Sequence, residues 1–161
     1  METQILALLI GKAQPFARDE LSAINKRSCS GPVRIGLRGI EGDEQADPRY
    51  HGGVDKALHH YPFDHSGHWR DALAAQPLLD APGAFGENVS TSSWTEGDVC
   101  IGDRFRLGTA LVEISQGRQP CWKQGERLSH PMLPAKMVKS GRSGWYYRVI
   151  EPGGAQSGAD V

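Results

Sequence analysis

The sequence predicts a mainly β protein of the α+β class, built as a barrel-like sheet with a few short helices. Glycine contributes 20 and proline 10 of the 161 residues, which excludes a long helical bundle or coiled coil. Short segments in which apolar and polar residues alternate recur along the chain, whereas segments with helical features are few and short. With 39% apolar and 23% charged residues, the chain has the composition of a globular domain that buries a core.

The first half of the chain predicts two strands, a long loop and one helix. Residues 3–10 form an apolar run that ends at a glycine, as a buried strand does, and residues 33–39 alternate as a strand with one wet face. Residues 39–56 contain five acids and four glycines and predict a long loop, a kind of segment that is commonly functional. Residues 62–76 begin at a proline and predict a short helix, and residues 83–90 predict a loop or short strand.

The second half carries the clearest local pattern. Residues 104–107 and 110–114 flank a Gly-Thr pair, which predicts a β-hairpin. The segments 121–128 and 132–139 predict short helices. In residues 145–150, aromatic side chains occupy both odd and even positions, and this segment predicts a final strand.

The organisation predicted along the chain is that of one intracellular domain. We expect this domain over residues 1–152 and a flexible C-terminal tail over the Gly- and Ala-rich residues 153–161. No apolar run approaches the roughly 20 residues that a membrane span needs. The three cysteines are far apart and form no CxxC pair, which indicates free thiols rather than a disulfide framework or a structural zinc site. We therefore expect a cytoplasmic protein.

Charge is unevenly distributed along the sequence, although the net charge is only −1. Residues 1–103 hold nine Lys or Arg and fifteen Asp or Glu, whereas residues 104–148 hold nine and two. A positive segment of this kind can attract an anionic ligand and favour a thiolate at a cysteine within it. An ordinary basic surface balanced by an acidic neighbour is the alternative, because separation along the sequence need not be separation in space.

The most informative motif is the polar segment Ser115-Gln-Gly-Arg-Gln-Pro-Cys121. Arg118 offers a planar guanidinium suited to phosphate, and the proline before Cys121 fixes the backbone at the sulfur. Cys121 is therefore a candidate nucleophile or ligand for a soft metal, with a small buried side chain as the alternative. Cys100 lies between apolar neighbours and predicts such a buried side chain, and Cys29 predicts an exposed thiol.

A second motif runs from His51 to Lys56 and continues into a His-His-Tyr-Pro segment. The adjacent Gly52 and Gly53 allow the backbone to approach an anion closely, with Lys56 as a cation and His51 or His60 as a donor. The spacing is not that of a GxxxxGK(S/T) phosphate loop. The motif therefore indicates anion binding of another kind.

Six histidines raise the hypothesis of a metal site, which their arrangement does not favour. His59 and His60 are adjacent, so on a strand their side chains point to opposite faces. His65 and His68 have helical spacing but no accompanying HExxH pattern. Solvated or capping histidines are favoured over a zinc site.

The third motif is Ala84-Phe-Gly-Glu-Asn88. The carboxylate of Glu87 and the amide of Asn88 could read the donors and acceptors of a polar ring system. Turn formation explains the glycine and the asparagine equally well, so this motif is weak evidence when taken alone.

Taken in order, these motifs resemble the MOSC domain family, named for the C-terminal domain of molybdenum cofactor sulfurase, and in particular its bacterial YiiM-like members. Each stretch is weak alone, but seven in the same order are specific. The matching stretches are Gly39–Ala46, His51–Ala57, His60–Pro62, Ala84–Ser90, Gly102–Phe105, Ile114–Cys121 and Gly144–Tyr147.

The resemblance implies a MOSC-type β-barrel that binds the molybdenum cofactor as molybdopterin, with the Cys121 thiolate as the ligand to molybdenum. The implied reaction is the two-electron reduction of N-hydroxylated compounds, such as hydroxylamines, N-hydroxylated bases and amidoximes. Electrons would come from a separate electron-transfer protein, and neither a nucleic-acid duplex nor a membrane is an expected partner. The candidate contacts to the cofactor are Lys56, His60, Asn88, Ser115, Arg118, Gly52 and Gly53.

Two alternatives of other classes remain at the level of the sequence. In the first, the protein is a non-catalytic carrier of the molybdenum cofactor or of sulfur, and Cys121 holds a persulfide or transfers the cofactor. In the second, it is a cysteine-dependent transferase without a metal. Measurements of metal content and of substrate turnover distinguish these two alternatives from the molybdenum-dependent reductase.

Overall fold

The computed structural model of the chain describes residues 2–74 and 76–161. It confirms a mainly β protein of the α+β class, in which a curled seven-stranded sheet forms a half-barrel and the helices are short. The strands within these residues are β1 (Ile5–Ile10), β2 (Gln14–Ala17), β3 (Glu20–Ser22), β4 (Arg27–Ser28), β5 (Val33–Gly36), β6 (Gly39–Ile40), β7 (Leu58–Pro62), β8 (Val89–Thr91), β9 (Arg104–Leu107), β10 (Ala110–Gly117), β11 (Trp145–Glu151) and β12 (Gly153–Ala155).

The helices lie between these strands and cover the outside of the sheet. Three 3-10 turns, at Val54–Lys56, Phe63–His65 and Pro77–Asp80, accompany them within the described residues. The α-helices there are α1 (Pro48–His51), α2 (Ser66–Leu73), α3 (Trp122–Arg127) and α4 (Leu133–Ser140). The predicted helices at 62–76 and 121–128 are thus confirmed with shorter bounds, and the helix at 132–139 is confirmed with a shift of one residue.

The larger sheet has the strand order β4-β1-β8-β7-β11-β10-β9. Its pairs are antiparallel except for the parallel pair of β7 and β8. The predicted hairpin is β9 with β10, whose register joins Leu107 to Ala110. The predicted strands at the two ends of the domain are β1 and β11, and they lie on either side of the central pair.

β7 is the central strand, and all five of its residues are buried. Leu58 belongs to the core inside the curled sheet, together with Val89 and Tyr147. Tyr61 belongs to a second core, beneath the helices. Because successive side chains on a strand alternate between its faces, His59 and His60 point to opposite sides of this sheet. The strand carries no alternating apolar pattern because both of its faces are covered.

The second core attaches the helices to the outer side of the sheet. Trp69 of α2 is fully buried, and its indole Nε1 donates to the hydroxyl of Tyr61 at 2.7 Å. The Tyr61 ring stacks on Phe85 with 4.1 Å between centroids. Leu133 and Met137 of α4 are buried in the same cluster. This packing holds the 83–88 loop and the two C-terminal helices against β7.

The C-terminal residues differ from the prediction of a flexible tail. β12 pairs with β5 in a smaller sheet, in the order β12-β5-β6. The Val161 amide donates to the carbonyl of Thr3 at 2.8 Å, next to β1. Glycine-rich residues give no apolar alternation to recognise, yet their backbone groups are paired like those of any strand. Residues 153–161 are therefore part of the folded domain.

A hairpin near the N-terminus was not predicted from the sequence. β2 and β3 pair around a turn at Arg18 and Asp19, both of which have positive φ, at 54° and 56°. The hairpin lies against Trp122, because the Arg18 guanidinium sits 4.2 Å from the centre of the indole ring. A turn without glycine gives little sequence signal. The hairpin consequently borders the segment that contains Cys121.

Residues 39–56 are more structured than the predicted loop. The segment contains β6, the single turn α1 and a 3-10 turn. Asp47 caps α1 by accepting from the Arg49 amide at 3.2 Å. No helix in the described residues, 2–74 and 76–161, is long and apolar enough to cross a membrane.

The turn before β11 provides a test of how closely the chain is packed. Gly144 has a φ of +74°, and a Cβ there would overlap the carbonyl oxygen of His60. Gly141 has nearly the same φ, +72°, but no atom within 4 Å of its Cβ position. An alanine at either position would therefore carry the backbone cost of a left-handed residue, about 1–2 kcal/mol, and only an alanine at position 144 would carry a steric cost in addition.

We predict that Gly144→Ala lowers the free energy of unfolding by about 1–3 kcal/mol more than Gly141→Ala does, because the extra methyl group must displace β7. Urea unfolding of both variants measures the difference. Equal losses in the two variants would show that the contact with His60 is not tight.

Candidate functional site

An open cleft of about 590 Å³ lies where the 43–47 loop, the 85–88 loop and the segment of Cys121 meet. Charged and titratable side chains make up much of its lining. These lining residues are Lys26, Asp43, Glu44, Asp47, His51, Lys56, His59, Arg118, Cys121 and Lys123. The cleft thus brings together Cys121, Arg118, Lys56 and Asn88 of the sequence-predicted site.

Cys121 lies in extended backbone immediately before α3. Its amide donates to Oε1 of Gln124 at 3.2 Å, and Nε2 of Gln124 donates to the carbonyl of Phe85 at 3.2 Å. Gln124 is fully buried, so it links the cysteine rigidly to the 83–88 loop. The thiol is half-buried and free. Cys29, predicted to be exposed, is also half-buried, and Cys100, predicted to be buried, is exposed because it lies in the turn before β9 and not in a strand.

The Cys121 thiol is acidic. Burial by itself raises the pKa of this thiol, but a hydrogen bond from His51 and the positive charge of Arg118 outweigh burial. Together they lower the pKa from 9.0 to about 6. Cys121 is therefore mostly thiolate at neutral pH, the form that acts as a nucleophile or metal ligand.

Arg118 is positioned by the turn before β11. Its amide donates to the carbonyl of Gly144 at 2.9 Å, which fixes the backbone. Its guanidinium lies 5.5 Å from the centre of the Tyr146 ring, and Nη2 is 3.8 Å from Sγ of Cys121. Nη1 also donates to the carbonyl of Gln119. Nε is buried and has no hydrogen-bond partner among the described residues.

A half-buried carboxylate holds that turn in place. Glu96 accepts from the Gly144 amide at 2.7 Å and pairs with His65 Nε2 at 2.6 Å. The Tyr61 hydroxyl donates to the carbonyl of Arg142 at 3.0 Å, two residues earlier. The position of Arg118 in the cleft therefore depends on contacts from β7, α2 and the loop that contains Glu96.

The two adjacent histidines of β7 have different roles. His60, predicted to contact a cofactor, does not line the cleft: its Nδ1 lies 2.9 Å from the Tyr147 hydroxyl and its Nε2 2.9 Å from the Thr91 hydroxyl. Its ring stacks on Trp145 at 4.3 Å, and burial lowers its pKa to about 3. His59 faces the cleft instead. Burial and then the charge of Arg118 hold the pKa of His59 well below its usual range, so its ring is neutral.

Asn88 lines the cleft, but its amide group is engaged by the protein. Its Oδ1 accepts from the His59 amide at 3.0 Å, and its Nδ2 donates to the Leu9 carbonyl and to Asp43 at 3.2 and 2.8 Å. Asp43 also forms a 2.7 Å ion pair with Lys26, and both side chains are more than nine-tenths buried. These residues build the floor of the cleft.

The remaining predicted residues lie beside the cleft or at its edge. Lys56 lines it and donates from Nζ to the carbonyl of Tyr50 at 2.6 Å. Ser115 does not line it; its hydroxyl lies within hydrogen-bond distance of the carbonyls of Asp55 and Tyr146, to either of which it can donate, and so ties the neighbouring turn to the sheet. Gly52 and Gly53 also lie outside the lining.

Gly52 and Gly53 shape the turn that follows α1. A Cβ at Gly52 would lie 2.5 Å from Oε1 of Gln45 and 2.9 Å from Cα of Pro48, so this glycine packs against the lining loop. Gly53 has a φ of +98° and no neighbour within 4 Å of its Cβ position. The close approach inferred from the pair is thus made to the protein's own backbone.

The charge of the cleft comes from a few side chains and not from the whole positive segment. Of the nine cations in residues 104–148, only Arg118 and Lys123 line the cleft. Arg104, Arg106 and Arg148 lie elsewhere and form ion pairs on the outer face of the sheet. Much of the positive segment, residues 104–148, is therefore an ordinary basic surface and not part of the cleft.

The acids of the cleft are neutralised by cations next to them. Besides the pair of Asp43 with Lys26, Glu44 pairs with Lys12 at 3.3 Å and Asp47 with Arg49 at 3.2 Å. Arg118 and Lys56 form no ion pair with an acidic residue in the described part of the chain. An anionic ligand would therefore meet uncompensated positive charge beside Cys121.

Sequence reasoning missed several lining residues. Lys123 is buried and donates from Nζ to the carbonyl of Leu21 at 2.8 Å, and its position two residues after Cys121 was a usable signal. Lys26 and Tyr146 gave no such signal, because their distance from the motif in the sequence hides their proximity in the fold.

Comparison with known proteins agrees with this arrangement. The family model described as the MOSC domain matches residues 47–161, which include α1, the 85–88 loop and Cys121. This chain belongs to the MOSC domain family. Within it, the chain is 41% identical over 151 residues to protein YiiM of Escherichia coli (strain K12), covering 94% of this chain and 67% of that protein.

Other relatives show the same family at similar distances. An uncharacterized protein, YflK of Bacillus subtilis (strain 168), is 40% identical over 98% of this chain and 71% of its own length. A protein named reductase from Gibberella moniliformis (strain M3125 / FGSC 7600) is 39% identical over 87% of this chain but only 25% of its own length. The crystal structure of YiiM from Geobacillus stearothermophilus superposes with a TM-score of 0.80 at 35% identity, covering 98% of this chain and 72% of that one.

The acidity of Cys121 gives a prediction for its alkylation. In a Cys29→Ser/Cys100→Ser background, the rate with iodoacetamide should rise with pH around a midpoint of about 6. Replacing Arg118 by Gln removes a nearby positive charge and should raise this midpoint by about one pH unit or more. Arg38→Gln, which changes an exposed arginine between β5 and β6, should leave it unchanged. A midpoint at 9.0, the ordinary value of a cysteine thiol, would contradict the assignment.

Proposed function

We propose that this MOSC domain protein binds the molybdenum cofactor and reduces N-hydroxylated compounds with electrons from a separate donor protein. The observation that carries the proposal is the acidic thiol of Cys121, in an open cleft that also contains uncompensated cations. Membership of the MOSC family and the similarity to a protein named reductase support it. The substrates in view are hydroxylamines, N-hydroxylated bases and amidoximes.

The side chains of the cleft fit a cofactor that joins a soft metal to a phosphate. A thiolate is a soft ligand, and Cys121 is held in this form at neutral pH. It is half-buried at the wall of a cleft, so a bulky group can reach it from solvent. The backbone around it is fixed by Gln124, which limits the loss of entropy on binding.

The cations beside Cys121 fit the phosphate end of such a cofactor. Arg118 has a buried Nε with no partner in the described residues, which a phosphate oxygen would satisfy. Lys56 lines the same cleft, whereas Lys123 is already paired with Glu20 at 3.5 Å. Lys26 is excluded from this role because its Nζ is already paired with Asp43 in the cleft floor.

The reaction balances with two electrons and two protons: a hydroxylamine R–NHOH yields R–NH₂ and water. When bound, the cofactor supplies the two-electron redox chemistry. The side chains of the cleft orient the substrate, and the neutral ring of His59 adds no charge to the site. His59 lies in the lining of the cleft, and Tyr146 offers an aromatic face.

Metal analysis tests the binding step. Protein produced in a host that makes molybdopterin should contain about one molybdenum per chain. Cys121→Ser should lose nearly all of it, because a hydroxyl is a hard and weakly acidic ligand, while Cys29→Ser should retain it as a matched control. Wild-type protein without molybdenum or pterin would contradict the proposal.

Turnover separates an enzyme from a carrier. Loaded protein should reduce benzamidoxime or a hydroxylaminopurine with a reduced viologen dye as an artificial donor, and Cys121→Ser should be inactive. Molybdenum that binds through Cys121 without any turnover would favour the carrier hypothesis instead.

A further inference from the structure

Helix α4 and the turn after it present a surface that the candidate site does not use. We call this the basic face and define it by Met132, Lys136, Val138, Lys139 and Arg142. Lys136 and Lys139 are exposed, and Arg142 is half-buried. No Asp or Glu occurs between positions 126 and 151 of the sequence, so the stretch around the basic face has no negative charge of its own.

The cations of the basic face differ from those of the outer sheet face. Lys136, Lys139 and Arg142 form no ion pair with any acidic residue in the described part of the chain. On the sheet, by contrast, Arg104 and Arg106 are both paired with glutamates, at 2.7 and 2.8 Å. Positive charge on the basic face is thus available to a partner.

Apolar side chains are exposed among these cations. Met132 is 60% and Val138 61% exposed, although Leu133 and Met137 on the other side of the helix are fully buried. Both side chains are therefore free to contact a partner. Apolar residues bordered by charge are the composition of a surface that binds another protein reversibly.

The basic face is close to the candidate site through two short connections. α4 packs on α3, where a Cβ at Gly125 would lie 2.9 Å from the His130 carbonyl and 3.3 Å from Cδ of Pro134. α3 follows Cys121 directly. The second connection is the turn that begins at Arg142, because the Gly144 carbonyl accepts from the amide of Arg118.

We propose that the basic face docks an acidic, single-domain electron-transfer protein of the flavodoxin type. The negative charge of such a donor is complementary to the three unpaired cations of the basic face. Docking there would bring the reduced flavin of the donor to the side of the domain that carries Arg118 and Cys121. Each turnover oxidises the donor by two electrons, takes two protons from water and cleaves the N–O bond of the substrate. This inference rests on the proposed function, in which electrons flow from the donor protein to the substrate.

The test uses charge reversal with a matched control. Lys136→Glu/Lys139→Glu changes two exposed lysines of the basic face, and Arg34→Glu/Arg38→Glu makes the same change in net charge on the β5–β6 hairpin. Each molybdenum-loaded protein is assayed with purified acidic flavodoxin, kept reduced by its reductase, and separately with a reduced viologen dye. Binding of flavodoxin is measured in parallel by calorimetry at low and high salt.

We expect the Lys136→Glu/Lys139→Glu variant to lose about tenfold or more of the flavodoxin-driven rate and of flavodoxin affinity at low salt. Its viologen-driven rate should stay within about twofold of the wild type, since the basic face lies outside the cleft. The wild-type affinity should fall as salt rises, because surface charges are screened.

The possible failures are distinguishable. Equal losses in both double variants, or unchanged flavodoxin affinity in the basic-face variant, would overturn the docking surface and leave the proposed function intact. A wild-type protein that is loaded with molybdenum but inactive with viologen would overturn the proposed reductase, and with it the electron-transfer role of the basic face.

Discussion

The close contact of Gly144 with β7 is the constraint on which the site depends. No side chain fits between Gly144 and the carbonyl of His60, so the turn before β11 lies directly against the central strand. The amide of Gly144 is held by Glu96, and its carbonyl holds the amide of Arg118. One residue without a side chain therefore connects the interior of the sheet to the guanidinium that acidifies Cys121.

This arrangement explains how an acidic thiol coexists with a partly buried site. Burial opposes a thiolate, and only positive charge or donors close to the sulfur can reverse that effect. Arg118 and His51 supply them, while the acids of the cleft are compensated by Lys26, Lys12 and Arg49. The cleft can then hold an anionic group although the net charge of the chain is −1.

Much of the fold followed from local patterns. A continuous apolar run predicted β1, alternation predicted β5 and the β9–β10 hairpin, and a run of aromatic residues predicted β11. Prolines near short helical segments predicted α2, α3 and α4. The elements that were missed have a common cause. β7 is covered on both faces and does not alternate, and β12 consists of small residues whose pairing with β5 is decided by backbone groups.

The sequence by itself determined the class of fold and the MOSC family, because both are encoded in short local motifs and in their order along the chain. It also singled out Cys121, which lines the cleft. Only the tertiary structure decided which side chains surround that cysteine. It turned His59 rather than His60 toward the cleft, engaged the amide of Asn88 within the protein, and brought Lys26 and Lys123 to the same cleft. Strand register and long-range packing set these positions, and neither is encoded in residues that are neighbours along the chain.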